Sequence, residues 1–161
     1  MVRTMLMTAA STLVLMTAAP VLAETMVSEV DVSMDLAAIK NEKAAAYWTS
    51  AADDLENAIV ARVADRTADD GARVTVDIDA LSLANWFETA FNIDQSQLKG
   101  HVLLMNAENT HLGSYDVSVS YPDAILLMPE GTDVATIAPD NRDYYTAMIN
   151  GFADAVVAQL P

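Results

Sequence analysis

Polar and apolar residues alternate strictly from Glu29 to Leu36, with Val30, Val32, Met34 and Leu36 on one side and Glu29, Asp31, Ser33 and Asp35 on the other. A period of two is that of a strand with one buried and one wet face. From about Asn41 the period lengthens. Trp48, Ala52, Leu55, Ile59 and Val63 recur at steps of three and four, which predicts an amphipathic helix ending near Asp69-Asp70-Gly71, with the glycine as its stop. Arg62 and Arg66 fall beside the apolar stripe. They are expected to lay their alkyl stems along the core, with Asp65, Asp69 and Asp70 in reach.

Alternation returns at Val74, Val76, Ile78 and Ala80, set against Thr75, Asp77 and Asp79, and predicts a second strand. Leu83, Trp86, Phe87 and Phe91 follow in a segment that reads as one or two helical turns plugging an end of the core. The runs 97–106 and 114–121 read as a hairpin, with Tyr115, Val117, Val119 and Tyr121 pointing inward and Asp116, Ser118 and Ser120 outward. Pro122 ends or bends that strand. Ala124 to Met128 reads as a short fifth strand or a packed loop, and Pro129 to Asp133 as a turn. A final helix is expected after Pro139, capped by Asp140, with Tyr145, Met148, Ile149, Phe152, Val156 and Leu160 as its stripe.

The order β-α-β-β-β-α, with one-sided strands and one-sided helices, predicts an α+β fold. It is a two-layer sandwich, a mainly antiparallel sheet with both helices on one face and an acidic, wet face opposite. No internal repeat or linker divides residues 24–161, which read as a single domain.

Before Glu24 stand one cation, Arg3, an apolar run from Met5 to about Ala19, and the sequence Pro20-Val-Leu-Ala. This is the pattern of a secretory signal peptide covering residues 1–23, cleaved after Ala23; an uncleaved anchor is the other reading. It predicts a periplasmic or secreted protein with no membrane span after cleavage. Arg3 is the only charged residue of that segment, so its loss takes the formal charge from −15 to −16. Such a balance disfavours nucleic acid and anionic membrane surfaces as partners. The absence of cysteine excludes disulfides, thiolate catalysis and cysteine metal sites.

The candidate chemistry is sparse. His101 falls mid-strand and His111 in the expected hairpin turn, some seven residues along, which at ~3.3 Å per residue is about 23 Å, too far to share a metal ion. His111, Ser114 and Asp116 carry the residue types of a hydrolase triad, but lack the constrained serine turn that such sites use. The five glycines are scattered and form no phosphate-binding loop. Neighbouring acids at Asp53-Asp54, Asp69-Asp70 and Asp77/Asp79 read as solvated faces rather than as a glycosidase pair across a cleft.

The window from Asp77 to Glu88 places acidic or amide residues at its first, third, ninth and twelfth positions, as a calcium loop does. Its fifth residue is Leu81 and its sixth Ser82, where that loop needs an oxygen ligand and a glycine. Asp77, Asp79 and Glu88 therefore remain weak metal candidates only. Tyr47 and Tyr144 lie about 100° to one side of their helices' stripes, where amphipathic aromatics anchor protein partners. The resulting expectation is a non-catalytic binding or assembly module of the cell envelope, without a cofactor and with a protein partner. The alternatives are an envelope hydrolase built from scattered Asp, Ser and Tyr, and a weak calcium-binding protein.

Overall fold

The computed structural model describes residues 24–35, 49–79, 97–133 and 142–161. The first strand, β1 (Val27–Met34), is followed by helix α1 (Ala51–Arg62) and a 3-10 turn (Ala64–Arg66). Strands β2 (Ala72–Ile78), β3 (Gln97–Met105) and β4 (His111–Ser120) come next. A short helix α2 (Tyr121–Ile125) and a long helix α3 (Arg142–Ala158) complete the order. The four strands form one sheet in the order β1-β2-β3-β4. β1 and β2 run parallel, joined by the α1 crossover, and the other two pairings are antiparallel. The expected α+β sandwich is therefore present, with a mixed sheet.

Alternation sorts the sheet into two faces. Val74, Val76 and Ile78 on β2, Leu98, Val102 and Leu104 on β3, and Val117 and Val119 on β4 are buried in one cluster with Leu55 and Ile59 of α1 and Phe152 and Val156 of α3. Each such aliphatic side chain contributes about 1.5–3 kcal/mol on leaving water. α1 packs on β1, α3 on β3 and β4, and the two helices on each other. Val27 breaks the alternation of β1: it is buried although Ser28 and Glu29 are both exposed, because a bulge shifts the register between Val27 and Glu29.

Several expectations change. Gly71 does not stop a helix, since α1 has already ended at Arg62. Its role is close approach: a β-carbon there would stand 2.6 Å from the Val27 carbonyl carbon, so only glycine lets the chain enter β2 against β1. The segment after β4 is neither strand nor loose loop. Ser120 and Asp123 form a reciprocal capping box and Pro122 occupies the first helical turn, so α2 begins where the strand stops.

The buried arc of α3 is wider than the expected stripe and includes Tyr144, Ala147, Gly151 and Ala153. The cause is that α3 touches three surfaces, the sheet, α1 and α2. Tyr144 is therefore fully buried, its ring 5.5 Å from that of Tyr121. Tyr145 turns toward α1, where its hydroxyl donates to the Asp54 carboxylate at 2.6 Å.

The two arginines behave as expected in burial but not in partners. Arg62 reaches Asp154 at 2.5 Å and Asn150 on α3, and Arg66, the one charged side chain in the core among the described residues, lies 3.3 Å from Glu24. Residues 1–23, Tyr47, Trp48, the segment 81–91 with Glu88, and the Asp140 cap lie outside the described residues.

Candidate functional site on the acidic sheet face

The face of the sheet turned away from the helices carries the polar residues of the strands, together with Leu103 and Met105 of β3. Its geometry follows from the register. Ser33, Asp77, His101 and Asp116 stand directly opposite one another across all four strands. The Ser33 hydroxyl donates to Asp77 Oδ1 at 3.3 Å, and His101 Nδ1 lies 2.9 Å from Asp116 Oδ1. One pleat further along, Asp79 follows β2 and its backbone N–H donates to the Lys99 carbonyl at 3.0 Å, with Ser118 opposite Lys99 on β4.

Around these rows the surface is an open depression of about 740 Å³, bordered by Asp35, Asp77, Asp79, Lys99, His101 and Asp116. At the other end of the face Arg73 is held by Glu29 at 2.6 Å, which ties up that cation away from the depression. The result, among the described residues, is a concave surface on which carboxylates outnumber cations. These groups are solvated: the His101 side chain is 53% exposed and that of Asp116 94%.

His101 lies mid-strand on β3, as expected, whereas His111 does not lie in the turn. It is the first residue of β4, opposite Met105. His101 is four residues from Met105, so the two imidazoles are about 13 Å apart along the sheet at ~3.3 Å per residue, still beyond one ion. The turn itself is Asn106 to Thr110. The Asn106 side chain accepts the N–H groups of Glu108 and Thr110, and Asn109 takes the left-handed conformation (φ 59°) that asparagine tolerates.

The triad residue types do not assemble. Ser114 faces Leu103, and the imidazole that meets Asp116 is His101. Of the weak metal candidates, Asp77 and Asp79 are both exposed on or beside β2, and Glu88 lies outside the described residues. No group of three or more His, Asp or Glu poised around an ion occurs among the described residues. Of the two partner candidates, Tyr47 lies outside the described residues. Tyr144 is in the core and not on a flank, because α3 is rotated so that residue 144 packs against Tyr121 of α2 while residue 145 turns toward α1.

The outward positions of Asp77, Asp79 and Asp116 were readable from alternation alone. That of Asp35 was too, whereas the contribution of His101 and Lys99 was not, since it depends on register. Compared with family models, with curated proteins and with solved structures, the chain matches none of them. No helix among the described residues is long and apolar enough to cross a membrane.

Proposed function

We propose that the protein is an exported, non-catalytic binding module of the cell envelope, and that the acidic outer face of its sheet is the docking surface for a cationic protein partner. The observation that carries this reading is the convergence of Asp35, Asp77, Asp79 and Asp116, from three strands and their ends, around one open depression. A partner's Lys or Arg side chains entering it meet several carboxylates at once. Charge so concentrated steers encounter as well as holding the complex.

Exposure favours binding over hydrolysis. A glycosidase-type carboxyl needs burial to keep its proton near neutral pH, whereas Asp77, Asp79 and Asp116 are exposed. The test is affinity capture from an envelope extract with three baits: the protein, its Asp77→Asn/Asp79→Asn/Asp116→Asn variant, and a variant neutralised at Asp53, Asp65 and Asp69 instead. A basic partner retained by the first and third baits and lost by the second is the expected result. Equal capture by all three would overturn the assignment of the face.

A further inference from the structure

We infer that the partner docks by adding a strand to β4, and that the added strand alternates basic and apolar residues; this rests on the acidic-face reading above. The first observation is which backbone groups face outward. Because the Asp79 N–H donates to the Lys99 carbonyl, Lys99 turns its polar groups toward β2, and its neighbours Leu98 and Gly100 turn theirs toward β4. Val119 and Val117 stand opposite those two residues and complete that ladder. Ser114, Asp116, Ser118 and Ser120 consequently point their N–H and C=O groups away from the sheet.

At Ser120 that outward N–H is taken by the Asp123 carboxylate at 2.9 Å, which closes the edge at its far end. Among the described residues, no backbone group pairs with Ser114, Asp116 or Ser118 on that side. Sheets protect such edges with proline, bulges or lysine. This one has Asp116 as its only acid, no proline before Pro122, and its bulge at Leu104/Met105, opposite the start of β4.

The second observation is what lies to either side of the edge. On the wet side, a residue paired with Asp116 stands next to its carboxylate and at the rim of the acidic depression, so Lys or Arg fits there. On the core side, beside Ser118 and Val119, lies an open recess of about 470 Å³ lined by Leu126, Leu127, Gly151 and Ala155, together with Asp123, which is held by Ser120, and Asp154, which is held by Arg62. Leu126 is 82% exposed and Leu127 47%. Residues next to the basic ones on an added strand point to that recess, because side chains alternate across a strand. Main-chain bonds at the edge and pockets for alternate side chains are the two components of recognition by strand addition. A second copy of this chain is the less suited occupant, since it brings a further charge of −15 and another Asp116 to the same wet face.

The test is a fluorescence-anisotropy titration of the purified protein with a labelled peptide of alternating lysine and valine. Ser118→Pro removes an outward N–H without touching the ladder to β3, and Ser118→Ala keeps that N–H while removing the hydroxyl. Binding of the peptide, weakened at least tenfold by Ser118→Pro and unchanged by Ser118→Ala, is expected, with no binding of a glutamate-valine peptide. A Ser118→Pro protein with native circular dichroism that binds as before overturns strand addition. The acidic-face reading survives that result if the triple Asn variant loses binding, and falls with it if the triple variant binds normally. Sedimentation showing a dimer that Ser118→Pro dissolves overturns the choice of occupant and assigns the edge to a second copy.

Discussion

Gly100 of β3 lies directly beneath the Phe152 ring of α3, so close that a β-carbon there would stand 2.9 Å from Phe152 Cζ and 2.9 Å from the Asp77 carbonyl oxygen. The glycine lets the helix seat on the sheet between Lys99 and His101, two of the residues that border the acidic depression. Gly100→Ala forces the ring or the β2 backbone to move, and overpacking of this kind costs about 1–3 kcal/mol. Urea denaturation should show that loss.

Tyr144 and Tyr145 separate core from interface chemistry. Tyr144→Ala is expected to cost about 3–5 kcal/mol, as for other large buried aromatics, and Tyr144→Arg to leave the domain unfolded. Tyr145→Phe loses the hydrogen bond to the Asp54 carboxylate, which holds α1 to α3, and should cost on the order of 1 kcal/mol with the fold intact. Thermal unfolding of the three variants checks both statements; a stable, folded Tyr144→Arg protein would refute the placement of that ring.

Much of this arrangement was legible in the chain, for a reason the strands make plain. β2 and β4 have one face against helices and one in water, so Val74, Val76 and Ile78, or Val117 and Val119, mark the inner face without any knowledge of neighbours. The rotation of α3 was not legible. A helix that packs on both a sheet and another helix buries a broad arc, and small residues such as Ala147, Gly151 and Ala153, which a stripe of large side chains overlooks, decide where its centre falls. The meeting of His101 with Asp116 was hidden for a different reason. It depends on the register of β3 against β4, which the Asn106–Thr110 turn sets through side-chain and left-handed backbone geometry rather than through hydrophobic pattern.

The cap of α2 gives a pH signature. The Ser120 hydroxyl, and then the Ser120 backbone N–H, hold the Asp123 carboxyl below the usual carboxylate range. A group whose pKa is lowered on folding adds stability that is fully present above its unfolded value, about 4, and is lost as pH falls through the folded value. Asp123 is solvent-exposed, so the effect is small. Asp123→Asn should flatten that part of the stability profile below about pH 4 while leaving its slope near neutrality unchanged, as acid titrations followed by circular dichroism will show.

Export makes its own prediction. If residues 1–23 are a cleaved signal, N-terminal sequencing of the exported protein reads from Glu24. A protein in the membrane fraction that still carries residues 1–23 would mean that the segment is kept as an anchor.

The most direct measurement of the central claim is a calorimetric titration of the protein with oligolysine at low and high salt. It is made on the native protein, on Asp77→Asn/Asp79→Asn/Asp116→Asn, and on Asp53→Asn/Asp65→Asn/Asp69→Asn. Both variants lose the same charge, so a difference between them reports the sheet face and not net charge. The account predicts salt-sensitive binding that falls at least tenfold in the first variant and less than twofold in the second. Equal weakening in both, or no binding by the native protein at low salt, would contradict it.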